Sequence, residues 1–267
     1  MNKRFSKFLA GVLTLLIVFS NSYIFAQESH LVRVYTAVTD ETENQVYFGD
    51  GESEITVEAP VVESRTFLSD FNPDIYTFDI DEAGEVIRTG MSEHDDRFTV
   101  YFACQTEPTE ESLNVLLEEL MEEAFKETDS ATEGDYIRYS WLRLWYGNSQ
   151  DTAGYINITG CGRYYYYEIT YNFSYYTTLQ QEQELTDAIN DLVEKFDFDA
   201  NTSDREKVDK IYNYITKNVR YDYANLNDES YKLKFTAYAA LMHNTAVCEG
   251  YAVLFYRLSE MCGVDSR

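Results

Sequence analysis

From residue 164 to 176 large apolar and polar positions alternate without a break. Tyr165, Tyr167, Ile169, Tyr171, Phe173 and Tyr175 fall on one face, and Tyr164, Tyr166, Glu168, Thr170, Asn172 and Ser174 on the other. A period of two is that of a half-buried β-strand. Tyrosine suits such a strand because its ring packs while its hydroxyl stays wet. The ladder is therefore read as sheet packing, the functional alternative being a platform for sugar rings or peptides. Residues 31–38, 54–58 and 97–105 also read as strands. Between them, Gly49-Asp50-Gly51 and Asp81-Glu82-Ala83-Gly84 read as turns.

Elsewhere the period changes to that of a helix. Thr109, after Pro108, is a candidate N-cap for a helix whose apolar stripe is Leu113, Leu116, Leu117, Leu120, Met121 and Ala124. Glu118, Glu119, Glu122 and Glu123 lie opposite that stripe, which makes them a solvated face rather than a calcium or acid–base site. Leu185, Ile189, Leu192, Val193 and Phe196 form a second stripe. Ser203-Asp204-Arg205-Glu206 is a capping box for a third, made of Val208, Ile211, Tyr212, Ile215 and Val219. Between them, Asp197, Asp199 and Asn201 imitate a calcium loop. Thr202 stands where that loop needs Gly, and Val208 where it needs a bidentate Glu. Thr236 caps a short helix that Asn244 ends in a left-handed conformation. A last helix begins near Val247 or Cys248. Its expected inner stripe is Cys248, Ala252, Phe255 and Ser259, with Tyr251, Leu254 and Leu258 beside it and Gly263 as terminator.

Composition sets limits on these elements. The 267 residues are 45% hydrophobic and 25% charged, enough for one or two cores and too apolar for a disordered tail. With 47 acidic against 21 basic residues the net charge is −26, a surface that repels phosphate backbones and excludes direct nucleic-acid binding. Lys3, Arg4 and Lys7 precede an apolar run at 8–19, and Ile24-Phe25-Ala26 precedes Gln27. This is the pattern of a cleaved secretory signal over residues 1–26, with a run too short to span a bilayer. Removing those three basic residues takes the net charge from −26 to −29. The expected product is exported, with no membrane span after cleavage.

An oxidising destination allows the four cysteines up to two disulfides, and Cys104 and Cys161, both in strand-like text, are candidates to pair. Cys262 is read as buried apolar filler. No CxxC and no His/Cys cluster is present, so no metal or other cofactor is expected. Cys248 falls in the first turn of an apolar helix, where orphan N–H groups and the positive end of the helix dipole favour a thiolate. Gly250 costs a helix about 1 kcal/mol relative to Ala. Its lack of a side chain lets another backbone or a substrate approach the sulfur closely. The competing reading of Cys248 is a core thiol on an apolar helix.

Ala237-Tyr238, Ala240-Leu241, Val247-Cys248-Glu249-Gly250-Tyr251-Ala252, Leu258 and Gly263-Val264 together resemble the nucleophile segment of bacterial transglutaminase-like proteins. Those proteins belong to the papain-like cysteine-enzyme superfamily. Asp209-Lys210-Ile211-Tyr212-Asn213-Tyr214-Ile215 and Val219-Arg220-Tyr221-Asp222 look like its leading helix and the turn after it. The Tyr-rich strand followed by Gln181-Glu182 resembles, more weakly, the region that precedes this domain in secreted proteins of Gram-positive bacteria. Asn244 stands where the family commonly has Gly, and Glu249 where Gln is frequent.

The resemblance implies a Cys-His-Asp triad with Cys248 as nucleophile and Gly250 and Tyr251 in support. The thioester would then pass to an amine or to water. In the family the His and Asp follow the nucleophile, and here no His follows Cys248. His243 aligns with no catalytic position and is read as capping its own helix, and His30 and His94 lie in the other domain. The resemblance thus implies a chain truncated after the nucleophile helix and inactive as it stands. The expected fold class is α+β. A signal at 1–26 precedes a mixed domain with a Tyr-rich antiparallel sheet at 27–198. The helical first half of a transglutaminase-like domain follows at 199–267. The expected partner is a protein or peptide substrate outside the cell. The alternative is a non-catalytic exported module that uses this fold as a scaffold to bind wall polymers or proteins.

Overall fold

The computed structural model describes residues 71–138 and 154–266, together with the strand backbones at 33–35, 45–49 and 142–144. The signal at 1–26, the strand at 54–58 and His30 lie outside the described residues. The fold is mixed α+β with an antiparallel sheet. Its strands are β1 (Arg33–Tyr35), β2 (Gln45–Gly49), β3 (Arg97–Cys104), β4 (Leu142–Leu144), β5 (Gly154–Cys161) and β6 (Tyr164–Tyr175), in the order β1-β2-β5-β6-β3, with β4 also paired to β6. The alternating segment is the central strand. β5 runs along β6 from Gly154 opposite Tyr171 to Cys161 opposite Tyr164, and β3 from Arg97 opposite Asn172 to Cys104 opposite Tyr165.

The period-two reading of β6 holds in the burial. Tyr167, Ile169, Tyr171 and Phe173 are all buried on one face, with Tyr171 and Phe173 stacked at 5.7 Å. Burial pushes the phenols of Tyr167 and Tyr171 above their ordinary range. The other face is not simply wet. Tyr166 is buried there against Tyr76 and Phe71, and Glu168 accepts the Tyr76 hydroxyl at 2.9 Å.

This register decides the disulfide. Cys104 shares a face with Tyr165 and Cys161 with Tyr164, so the two thiols lie on opposite faces with β6 between them. Two strand spacings amount to about 10 Å, beyond disulfide reach. All four cysteines are free. Cys262 is half-buried against the core, and burial raises its thiol above the ordinary value.

One turn read from sequence is instead helical. Asp81-Glu82-Ala83-Gly84 opens α1 (Ile80–Ser92), whose N-cap Asp79 accepts the Asp81 N–H at 2.9 Å. Gly84 serves packing rather than a bend: a Cβ there would lie 2.6 Å from the Glu123 side chain. Glu123 belongs to α2 (Glu110–Ala124), which starts at a Thr109–Ser112 capping box and buries all six residues of its expected stripe. Arg88 of α1 donates to the carbonyls of Glu123 and Ala124 at 2.8 and 3.1 Å, satisfying the end of α2. Next come α3 (Leu179–Phe196), capped by Thr178, and α4 (Asp204–Asn218), opened by the Ser203–Glu206 capping box. Between them the Asp199 carboxylate is spent on its own turn, accepting the Asn201 N–H and the Thr202 hydroxyl. The last two helices are α5 (Ala237–Met242) and α6 (Cys248–Met261). One apolar core runs from Ala83 on α1 through Tyr167 on β6 and Ile189 on α3 to Leu258 on α6.

A buried polar cluster crosses that core. The Arg257 side chain, on α6, is 1% exposed. Its guanidinium lies over the Tyr136 ring at 4.7 Å and donates to the Ala131 carbonyl and to Thr186 Oγ1. Glu182 on α3 accepts the hydroxyls of Tyr136 at 2.7 Å and Thr177 at 2.6 Å. Burial raises the Glu182 carboxyl, against the opposing pull of those hydrogen bonds and of Arg257. Among the described residues, no helix is long and apolar enough to cross a membrane.

Arg257→Met removes the cation but leaves the carboxylate in place. It is expected to lower unfolding free energy in urea by about 1–3 kcal/mol, because the Ala131 carbonyl and Thr186 Oγ1 lose their donor. Adding Glu182→Gln to that variant should recover part of the loss, whereas a fully additive double variant would show the two groups uncoupled. A second expectation concerns His94, which sits at φ 57. Burial holds its imidazole down, to about 4 from 6.5. The unfolded chain therefore binds the proton first, and stability is lost as pH falls from 6.5 toward 4. His94→Asn tolerates the same backbone and should show a smaller drop in Tm between pH 7 and pH 4.5.

Candidate functional site

The segment around Cys248 is assembled by a short parallel pairing. β7 (Arg220–Tyr221) follows α4 and pairs with β8 (Thr245–Ala246), placing Tyr221 beside Ala246. The Arg220 N–H donates to the Asn244 carbonyl at 2.8 Å and the Asp222 N–H to the Ala246 carbonyl at 3.0 Å. Between the strands the chain folds around a buried ammonium. Lys234 Nζ donates to the carbonyls of Asn225 (2.7 Å), Leu226 (3.1 Å) and Asp228 (2.6 Å), and the residue is 2% exposed. Buried Asp222 accepts both Nδ2 and N–H of Asn225, which closes the loop from its other end. The Lys234 carbonyl in turn accepts the Val247 N–H at 3.0 Å. Thr236 caps α5 through the Ala239 N–H as expected.

Asn244 has φ 56, the left-handed conformation read from the sequence. This explains how Asn replaces the Gly of the family pattern, since Asn is among the few residues that visit that region readily. Gly263, at φ 69, ends α6 as expected.

Cys248 is the first residue of α6 and is exposed; its N-cap, Val247, offers no side-chain hydrogen bond. The expected inner stripe of this helix is wrong. Cys248 and Ala252 face outward, Phe255 is half-buried, and of the four only Ser259 is buried. The buried face is Gly250, Val253, Leu254, Arg257, Leu258 and Ser259. The hydrophobic pattern misled because two positions of the inner face are a glycine and an arginine, neither of which reads as core.

Gly250 is buried because another backbone comes close. A Cβ there would lie 2.7 Å from the Ala246 Cβ, 2.9 Å from the Thr236 carbonyl oxygen and 3.1 Å from that of Lys234. Of the two approaches that its missing side chain permits, the structure shows the backbone one. Tyr251 turns to β7. Its hydroxyl donates to the Val219 carbonyl at 2.8 Å, and its ring stacks on Tyr221 at 6.4 Å. Partial burial is the main cause that pushes the Tyr221 phenol above its ordinary value. The sequence did not single out Tyr221, which this pairing brings against Tyr251 on α6. A two-residue strand carries no periodic signal, and its pairing partner lies 25 residues downstream.

The histidines do not join this group. His243 is the exposed C-cap of α5, with its ring against Tyr238 at 5.5 Å. His94 lies between α1 and β3. Among the described residues, no hydrogen bond joins an imidazole to Cys248, and no group of three or more His, Cys, Asp or Glu could hold a metal ion.

Gly250→Ala places a methyl against two carbonyl oxygens and another methyl, none of them the free end of a flexible chain. It is expected to destabilise the fold by about 1–3 kcal/mol despite Ala's better helix propensity, read as a lower midpoint in urea. An unchanged or raised midpoint would show that the α5–α6 contact yields easily.

The family model described as the transglutaminase-like superfamily matches residues 190–267. Its match begins inside α3 and takes in α4, the Lys234 loop, α5 and α6. No curated protein matches the chain at a significant level. The C-terminal part of this chain, residues 190–267, is a transglutaminase-like superfamily domain.

Proposed function

We propose that the chain is an exported transglutaminase-like cysteine enzyme whose nucleophile is Cys248, acting on amide or peptide carbonyls through a thioester. The observation that carries this reading is an exposed thiol on the first residue of α6, inside the matched domain, while the turn beneath it is packed against backbone. In this reading the Cys248 sulfur attacks the carbonyl carbon of a carboxamide. The C–S bond forms as the C–N bond breaks, and the thiol proton leaves with the amine. A second amine or water then attacks the thioester, the C–S bond breaks and the sulfur regains a proton.

Gly250 and Tyr251 support the nucleophile, the first by letting α6 sit on the Lys234–Thr236 carbonyls and the second by tying α6 to β7. The proton needs a carrier. The family resemblance implies an Asp-oriented imidazole after the nucleophile, and no His follows Cys248 in these 267 residues. The reading therefore includes that these residues by themselves turn over no amide. Export rests on the basic start, the apolar run at 8–19 and the small residues before Gln27. The substrate class is a protein or peptide outside the cell.

The protein treated with iodoacetamide at neutral pH and mapped by mass spectrometry is expected to carry label on Cys248 ahead of Cys104, Cys161 and Cys262. It should release no ammonia from a glutamine-bearing protein. Cys248 remaining unlabelled while the half-buried thiols react favours the scaffold reading instead. Sustained ammonia release would overturn the inactivity of this chain.

A further inference from the structure

A lysine is almost never fully buried, because its ammonium gives up water and must find other acceptors. Lys234 is 2% exposed, and its Nζ donates to three backbone carbonyls, those of Asn225, Leu226 and Asp228, at 2.6–3.1 Å. An ammonium has three donors, so the carbonyls take up its whole capacity. Converging carbonyl oxygens are the ligands that replace the hydration shell of a simple cation. The turn at 225–228 is thus a cation site that the chain fills with its own side chain. A buried carboxylate stands behind it: Asp222 accepts the Nδ2 and N–H of Asn225, the residue whose carbonyl meets the ammonium.

The main chain of Lys234 reaches the helix that bears Cys248. Its carbonyl accepts the N–H of Val247, the residue before Cys248, at 3.0 Å, and lies 3.1 Å from where a Cβ on residue 250 would sit. From the other side the Asp222 N–H donates to the Ala246 carbonyl at 3.0 Å. An apolar residue at 234 would leave three interior carbonyls without a donor, and the turn would have to open toward water. The Lys234 carbonyl would move with that turn.

We infer that Lys234 is a positioning residue for Cys248: its ammonium is the resident cation of a three-carbonyl site at 225–228, and occupancy of that site fixes where α6 begins. The inference takes its functional meaning from Cys248 being the nucleophile.

Amide NMR spectra of the intact chain test it at Val247 and Cys248, with Leu117 on α2 as a remote reference. Lys234→Ala removes a propylammonium group. The Val247 amide proton is expected to move upfield as its hydrogen bond lengthens, the Cys248 amide to shift with it, and Leu117 to stay. Propylammonium chloride should return both signals to their parent positions in a saturable titration. Tetramethylammonium chloride at the same concentration has no N–H to offer the carbonyls and should not. Shifts confined to residues 225–236 overturn the inference, and so does a folded variant that ignores propylammonium. If circular dichroism shows the Ala variant unfolded, Lys234→Met, which fills the space without the charge, is read in its place. An upfield Val247 amide there supports the inference, and a parent position overturns it. Cys248 left unlabelled by iodoacetamide in the parent chain overturns the nucleophile reading while the cation site stands.

Discussion

The close seating of α6 on the carbonyls of Lys234 and Thr236 is the contact on which the arrangement around Cys248 depends. It exists because position 250 lacks a side chain. With the first turn of α6 pressed onto that backbone, Tyr251 is directed to the Val219 carbonyl and Cys248 is left on the outer side. A thiol on the outer side of a firmly held turn is accessible without being mobile, which is the arrangement a nucleophile requires. The backbone that receives α6 is itself organised from within by Lys234, whose ammonium takes up three carbonyls that would otherwise face the interior unpaired.

A second buried cation anchors the middle of α6. Arg257 is surrounded by a ring, a carbonyl and a hydroxyl rather than by a direct carboxylate partner, and Glu182 sits one layer away on α3. In a chain with 26 more negative than positive charges, two cations are withdrawn from the surface and assigned to holding backbone and helices in place. The Arg257 cluster also links α6 to residues 131–136, so the helix that bears Cys248 is continuous with the core under the Tyr-rich sheet.

The parts of this structure that were legible in the sequence have short-range causes. The caps at Thr109, Ser203 and Thr236 sit where they were expected, because each is decided by a side chain and an N–H within three residues. The stripe of α2 and the alternation of β6 are equally local, since the period of side chains along one element needs no knowledge of its neighbours. Asp81 to Gly84 failed as a turn because Gly84 was read by its propensity, while its reason is the Glu123 side chain on another helix.

By itself the sequence determined the caps at Thr109, Ser203 and Thr236, the stripe of α2, the alternation of β6, and which cysteine starts a helix. Tertiary structure alone decided the rest: that Cys104 and Cys161 lie on opposite faces of the sheet, that α6 turns Gly250 and Arg257 inward, and that the Tyr251 hydroxyl reaches the Val219 carbonyl. Each of these is a contact between residues far apart in the chain. The free energy that settles such a contact comes from packing and from satisfying buried polar groups, and neither leaves a periodic trace in the residues that make it.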